Sequence, residues 1–400
     1  MGQPIAESST LLNAQIGFLK THLALIHLPP SALPLFLQPI LTLLLHNDQK
    51  DEQGNTIEPH RSWNFWHPFV NVSITPNEVS IVCPREQAEL LFAPLVDNLS
   101  PALRKSVSIS REDYSVIMIG GEGLEAGQRV LDLTSPLAIA GIPIFFITSY
   151  YSDFIVVPFS SRPKVIHTLE ERGFVFEATD ADGEAGQMTN PQSPLTNSHH
   201  RPGSSTSFDW PTASSPPPTS VSELQSKTFK TLARNNIQPT VDQSIELITC
   251  AGVKDSIHAT QIAHFRDGKL HLGIAKCLTS FPPPDFFSIT LTDSESASLT
   301  MEKRLLEHFP NEGEDVLLGI DGPEQVLITL DLKDLPLEST GIVCGVSSRL
   351  TDAMRRRIGR EMFNMSYLST SRAGHVIVYE DELEDVMDAL KGVQVNGVHS

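Results

Sequence analysis

Residues 143–158 read PIFFITSYYSDFIVVP. Ile144–Thr148 and Phe154–Val157 are short apolar runs, and Ser149-Tyr150-Tyr151-Ser152-Asp153 is a polar hinge between them. Runs of β-branched and aromatic residues bounded by polar turn residues predict two paired strands. Upstream, Arg129–Gly141 carries apolar residues at helical spacing, and downstream Ser161–Arg172 predicts a second helix. The same order of helix, strand, hinge, strand and helix returns near the C-terminus. There it comprises Leu350–Glu361, the stretch MSYLSTSRAGHVIVYE from Met365, and Asp381–Leu390. Ile147 aligns with Leu368 and Phe154 with His375, both at an offset of 221 residues. Two copies at one offset indicate an internal repeat.

The chain has 400 residues, 40% of them apolar, and a net charge of −19. That length predicts several domains with sizeable cores. The acidity and the lack of a large basic patch argue against nucleic acid. Cys83, Cys250, Cys277 and Cys344 lie far apart without a CxxC pair, which predicts reduced, buried thiols in a cytoplasmic protein. No signal peptide is visible at the start. The most lipid-like stretch, Leu23–Leu45, is broken by Pro29, Pro30, Pro34 and Pro39, so no membrane span is expected.

Working outward, residues 1–14 read as a tail. Phe18–Leu28 predicts a strand, Ser31 an N-cap and Leu33–Leu45 a helix, with Pro34 tolerated in its first turn. Val70–Ile74 and Glu78–Val82 predict strands around the Thr75-Pro76-Asn77 turn, and Arg85–Leu95 a helix. This first unit spans 15–105. Tyr114–Ile119 opens a second unit, 106–178, which Phe174–Phe176 closes as a last strand. From 179 to 240 the chain is rich in Ser, Pro and Thr, with Trp210 its most prominent apolar anchor. Such a segment reads as a disordered linker and a target for modification. A third, irregular unit covers 241–312, with strands at Phe286–Leu291 and Ala297–Met301 and a helix at Glu302–Phe309. A fourth covers 313–392, and 393–400 is a tail. The expected class is α+β, built of four βαββαβ units in two halves; this is the ferredoxin-like split βαβ motif.

Catalytic and metal motifs are missing. Gly120-Gly121-Glu122-Gly123 follows a strand but lacks the GxGxxG spacing and a P-loop lysine. The fourteen histidines show no HExxH and no Cys–His clustering. His375 reads as a buried strand histidine. Arg355-Arg356-Arg357 and Arg360 read as a solvated helix face. No cofactor, metal or catalytic residue is expected, and the chain reads as non-enzymatic.

The decapeptide Gly341-Ile342-Val343-Cys344-Gly345-Val346-Ser347-Ser348-Arg349-Leu350 resembles the GIVxxVxxxL of ACT domains, small ligand-binding modules of the same topology. The glycine there lets a ligand approach the backbone, and free N–H groups at the helix start can hold a carboxylate. SPLAIAGIPIFFITSYYSDFIVVP further resembles the second ACT domain of the CASTOR family, cytosolic arginine sensors upstream of the TOR kinase.

The resemblance implies a small amino-acid ligand, arginine among the options, held between the second and fourth units. It assigns ligand contacts to Pro143 and Ile144, to Glu338, Ser339, Thr340, Gly341 and Ile342, and to Thr370, Arg372 and Gly374. Gly374 stands where the family has an aspartate, and Arg372 opposes a cationic ligand. Gly341→Val is expected to abolish binding without unfolding the chain. The resemblance also implies a partner contact at Tyr150, Tyr151 and Asp153, a GATOR-like partner from a nutrient-signalling complex, and pairing as a homodimer. A ligand-free ACT scaffold and a regulatory module for an enzyme of amino-acid metabolism are the alternatives.

Overall fold

The computed structural model describes residues 15–45, 67–120, 126–174, 176, 218–253, 260–313, 316–358 and 365–391. Within them the backbone forms fifteen strands. In the first half these are β1 (Gln15–Phe18), β2 (Leu23–Leu28), β3 (Phe69–Ile74), β4 (Val79–Pro84), β5 (Ser108–Ile109), β6 (Tyr114–Gly120), β7 (Phe145–Thr148) and β8 (Asp153–Pro158). In the second they are β9 (Pro239–Gly252), β10 (Phe287–Thr292), β11 (Ser298–Glu302), β12 (Leu317–Leu318), β13 (Gln325–Asp331), β14 (Ser366–Ser369) and β15 (Ala373–Tyr379). The longer α-helices are α1 (Leu33–Leu45), α2 (Ala126–Ile139), α3 (Arg162–Glu170), α4 (Val221–Arg234), α5 (Thr260–Leu278), α6 (Ile342–Ile358) and α7 (Leu383–Lys391).

Strand β8 shows why the sheet is covered on both faces. Phe154 and Val156 join one core while Ile155 and Val157 join another. A strand buried on both sides reads as a continuous apolar run, as FIVV does. The expected hairpin forms, with Ile147 opposite Phe154. All strands share one sheet, in the order β1-β6-β8-β7-β14-β15-β13-β9-β11-β10-β3-β4-β2-β5, with β12 on β9. A pairing of Leu23 with Tyr114 joins β2 to β6 and closes a twelve-strand circuit.

Phe69 of β3 and Phe154 of β8 meet inside that circuit, with ring centroids 4.9 Å apart. Facing side chains thus fill the interior, as in a small barrel. Outside, α1 and α5 cover one side with Phe36, Ile40 and Ile274. Helices α2, α3, α4, α6 and α7 cover the other with Leu133, Val165, Phe229, Val346 and Val386.

Four runs of neighbouring strands follow one spatial order around the sheet. The series β3-β4-β2-β5, β7-β8-β6-β1, β10-β11-β9-β12 and β14-β15-β13-β9 are equivalent. The fourth place corrects the sequence reading. Among the described residues Phe176 makes an isolated bridge to Ile16, and β1 lies beside β6. In the last quarter the start of β9, at Pro239–Val241, takes that place. Each half therefore opens with a strand that completes its second unit. The predicted single strand Phe18–Leu28 is accordingly two strands, β1 and β2.

Other expectations change too. Ser31 lies in a 3-10 turn ahead of α1 rather than capping it. Lys303–His308 is a 3-10 helix. The expected linker already contains α4, capped by Ser220, whose side chain accepts from Glu223 N. Phe229 and Leu232 of α4 are buried, and that burial stabilises a segment whose composition alone argued against order. Residues 179–217, with Trp210, lie outside the described residues, as do Gly121–Gly123 and Arg360. The four cysteines are free and buried. Among the described residues no helix is long and apolar enough to cross a membrane.

His375 is fully buried in the sheet interior, with Nδ1 3.1 Å from the Thr329 hydroxyl. Burial lowers its pKa to about 4, and the nearby Glu78 only partly opposes this. The imidazole is therefore neutral in the fold but takes a proton in the unfolded chain below about pH 6.5. The unfolded state then binds more protons, so stability falls as pH drops from about 6.5 to 4, by at most ~1.4 kcal/mol per unit from this group. Denaturant midpoints across that range should show the slope, and His375→Phe should flatten it.

Candidate functional site

Three distant segments converge where β7 meets β14. The seam is thin, with one registered pair, Ile147 with Leu368. Hydroxyls supplement it. Phe146 N donates to Ser369 Oγ at 2.9 Å, and Tyr367 N donates to Thr148 Oγ1 at 3.1 Å. On the helix side of this seam lies a cavity of about 50 Å³. Its walls come from the start of β7, the β13–α6 loop with the first turn of α6, and the β14–β15 hinge. Five expected ligand residues line it: Ile144, Ser339, Ile342, Thr370 and Gly374. Sequence reasoning missed Tyr367, which also lines it. No local signal marked it, because an aromatic in a strand reads as core.

The other expected residues lie elsewhere. Pro143 and Thr340 are half-buried neighbours in the chain but do not line the cavity. Glu338 is exposed, and its charge acts on the Tyr114 phenol. The Arg372 side chain is exposed while its backbone N donates to Glu78 Oε1 at 2.5 Å. Among the described residues no carboxylate lines the cavity, so none of them balances a guanidinium there.

Gly341 has φ +82°, and a Cβ there would meet Leu224 Cδ1 at 2.7 Å. The Thr228 hydroxyl of α4 donates to Gly341 O at 3.0 Å. One turn on, a Cβ at Gly345 would clash with the Thr228 side chain. The glycines thus admit α4 against α6, a role sequence reasoning gave to a ligand. Gly341→Val is now expected to destabilise the fold by about 1–3 kcal/mol through backbone strain and overpacking. Chemical denaturation of the variant checks this.

The tyrosine hinge docks inside the molecule. Tyr150 N donates to Ser298 Oγ at 2.7 Å, and the Tyr150 ring lies over Gly319. Ser152 Oγ donates to Glu295 Oε1 at 2.5 Å. Tyr150 is 39% exposed and stacks edge-on against Tyr151. Burial, with the Tyr150 and Glu295 charges, raises the Tyr151 phenol. Asp153 has no exposed surface, so it is not a partner-facing residue in this fold; only the two tyrosines keep exposed surface. Beside the hinge is an open groove of about 380 Å³, lined by Tyr150, Thr249, Gln325 and Tyr379 among others. Among the described residues no group of three or more His, Cys, Asp or Glu could hold a metal.

Residues 109–171, from the end of β5 through α3, match the ACT domain. No curated protein matches the chain. Aspartate kinase from Synechocystis is similar over 97% of this chain and 57% of its own, at 13% identity and TM-score 0.31. The ligand-free regulatory subunit of aspartate kinase from Thermus thermophilus aligns over 40% of this chain and 95% of its own, at 14% identity and TM-score 0.25. A protein from Agrobacterium tumefaciens aligns over 40% and 89%, at 19% identity and TM-score 0.26. The chain thus spans little more than half the length of the first of these structures.

Proposed function

We propose that this ACT-domain chain is a non-catalytic regulatory protein of four ACT-type units that binds a small amino acid at the β7–β14 seam. One observation carries the reading. Ile144, Ser339, Ile342, Thr370 and Gly374 come from three separate segments and line one cavity beside a helix start. The first N–H groups of a helix lack partners within it and favour a carboxylate. A ligand touching both sides of so thin a seam would favour the closed arrangement and pass its occupancy to a protein partner. We place that partner in a cytoplasmic nutrient-signalling complex of the TOR type, met through Tyr150 and Tyr151. Arginine fits poorly, for want of a facing carboxylate.

The size of the cavity favours a second reading. Ligand sites usually measure roughly 300–1,000 Å³, so a ligand-free ACT scaffold agrees better with about 50 Å³. A thermal-shift titration with each of the twenty amino acids separates the two. A ligand bound only by the folded state raises the melting temperature with concentration. No shift with any amino acid at millimolar concentration would leave the scaffold.

A further inference from the structure

The two halves hold each other by matching turns. Thr75-Pro76-Asn77-Glu78 joins β3 to β4, and Thr292-Asp293-Ser294-Glu295 leads from β10 toward β11. The turns stand 217 residues apart, and Val72 and Ile289, at the same offset, pair with each other where β3 meets β10. Ile147 and Leu368, at the offset of 221, do likewise at the other seam. Such an arrangement is reciprocal: what one half's turn does to the other half's hinge is done in return. In each turn the glutamate N donates to the threonine Oγ1, at 3.1 Å for Glu78 and 3.0 Å for Glu295. In each hinge the first N donates across the bend, Ser149 to Ser152 O and Thr370 to Ala373 O. Glu78 Oε1 then accepts from Arg372 N in one hinge, and Glu295 Oε1 from Ser152 Oγ in the other.

The two contacts differ in their surroundings. Glu78 has no exposed surface, and its second oxygen lies 2.5 Å from Nδ1 of His27 on β2. Strand β9 stands beside β11 as β2 stands beside β4, but it ends in Ala251-Gly252, which carry no ring. Glu295 is half-buried, next to the exposed Ser294. Its hinge also borders open space, since Thr148, Ser149 and Tyr150 wall the groove of about 380 Å³. A carboxylate that water can reach loses little when its partner leaves, whereas a fully buried one is costly to strand. Local opening is drawn from segments with few buried contacts and accessible hydrogen bonds.

We propose that the Glu78 turn is a fixed pivot and the Glu295 turn a releasable latch. The Ser149–Ser152 hinge swings off Glu295 and Ser298, lifts Tyr150 from Gly319, and uncovers the tyrosine surface that docking hides. The latch is thus an autoinhibitory contact for whatever binds Tyr150 and Tyr151. This goes beyond the amino-acid-binding reading and does not depend on it.

Hydrogen exchange on the full chain, read by mass spectrometry over residues 145–155 and 366–376, tests the latch. After correction for intrinsic rates, the 149–153 amides of the wild type should exchange at least about tenfold faster than the 370–374 amides. Ser152→Ala removes the latch donor, and Glu295→Ala removes its acceptor. Each should speed exchange at 149–153 by a further factor of about five, the scale of one hydrogen bond. Exchange at 370–374 and the urea midpoint should stay unchanged in both variants. Equal protection of the two hinges in the wild type would overturn the asymmetry. Unchanged exchange at 149–153 in both variants would show that these groups do not hold the hinge, and would overturn the latch. Faster exchange at both hinges with a lowered midpoint would make the contact part of the global fold, which also overturns it.

Discussion

Glu78→Ala is expected to cost about 3–5 kcal/mol of unfolding free energy, the scale for removing one partner of a buried polar pair. Glu78 has no exposed surface and sits at the start of the β3–β4 return. Its carboxyl takes two roles at once, and its backbone N a third. Oε2 lies 2.5 Å from His27 Nδ1, Oε1 accepts from Arg372 N at 2.5 Å, and its backbone N donates to Thr75 Oγ1. The Arg372 bond crosses from one half of the sequence to the other, at a separation of 294 residues. Alanine would leave the buried His27 and the part-buried Arg372 N–H without this partner, and a buried orphan is costly. Glu78→Gln keeps an acceptor for Arg372 N and should cost less. Urea unfolding of both variants ranks them. A loss below about 1 kcal/mol for Glu78→Ala would mean that this carboxyl does not hold the halves together.

Phe154→Ala should be of similar size, about 3–5 kcal/mol, as for other fully buried phenylalanines. Phe154 has no exposed surface and meets Phe69 across the interior at 4.9 Å. It also pairs with Met118 on β6 and Ile147 on β7. Truncation would open a void where two faces of one sheet meet, and neither can relax without moving a strand. Phe154→Leu should lose less. Because Phe69 shares the contact, the double variant with Phe69→Ala should cost less than the sum of the two singles. Strict additivity would show that the rings do not support one another.

Much of the local structure was legible because its cause is local. Helix α1 begins at Leu33 as predicted and runs through Leu45, since apolar spacing and the prolines before it act within a few residues. The hairpin of β7 and β8, and its copy β14 and β15, follow from apolar runs around a polar hinge. Five of the ten expected ligand residues do line one cavity, and the glycine-led helix start and the repeated hinge mark them in the sequence. Failures occur where a partner from elsewhere decides. Asp153 looked like a hinge surface residue, but the Ser149–Ser152 turn is docked on Ser298 and Glu295. Gly341 looked like a ligand glycine, but Leu224 and Thr228 lie against it. Composition hid α4, since packing against α6 and α2 supplies the burial that orders it.

The sequence by itself determined the alternation of strands and helices, the repeated hairpin and the free, buried cysteines. Those properties reside in residue type and spacing over a handful of positions. Only the tertiary structure decided that β2 and β6 close the sheet, that β1 and the start of β9 complete the second unit of each half, and that Glu78 meets Arg372. It also decided that the Tyr367 hydroxyl packs against Gly374, where a side chain would not fit. These are pairings between residues distant in the chain. They depend on which edge, face or gap is left when the local elements pack, and local periodicity carries no record of that.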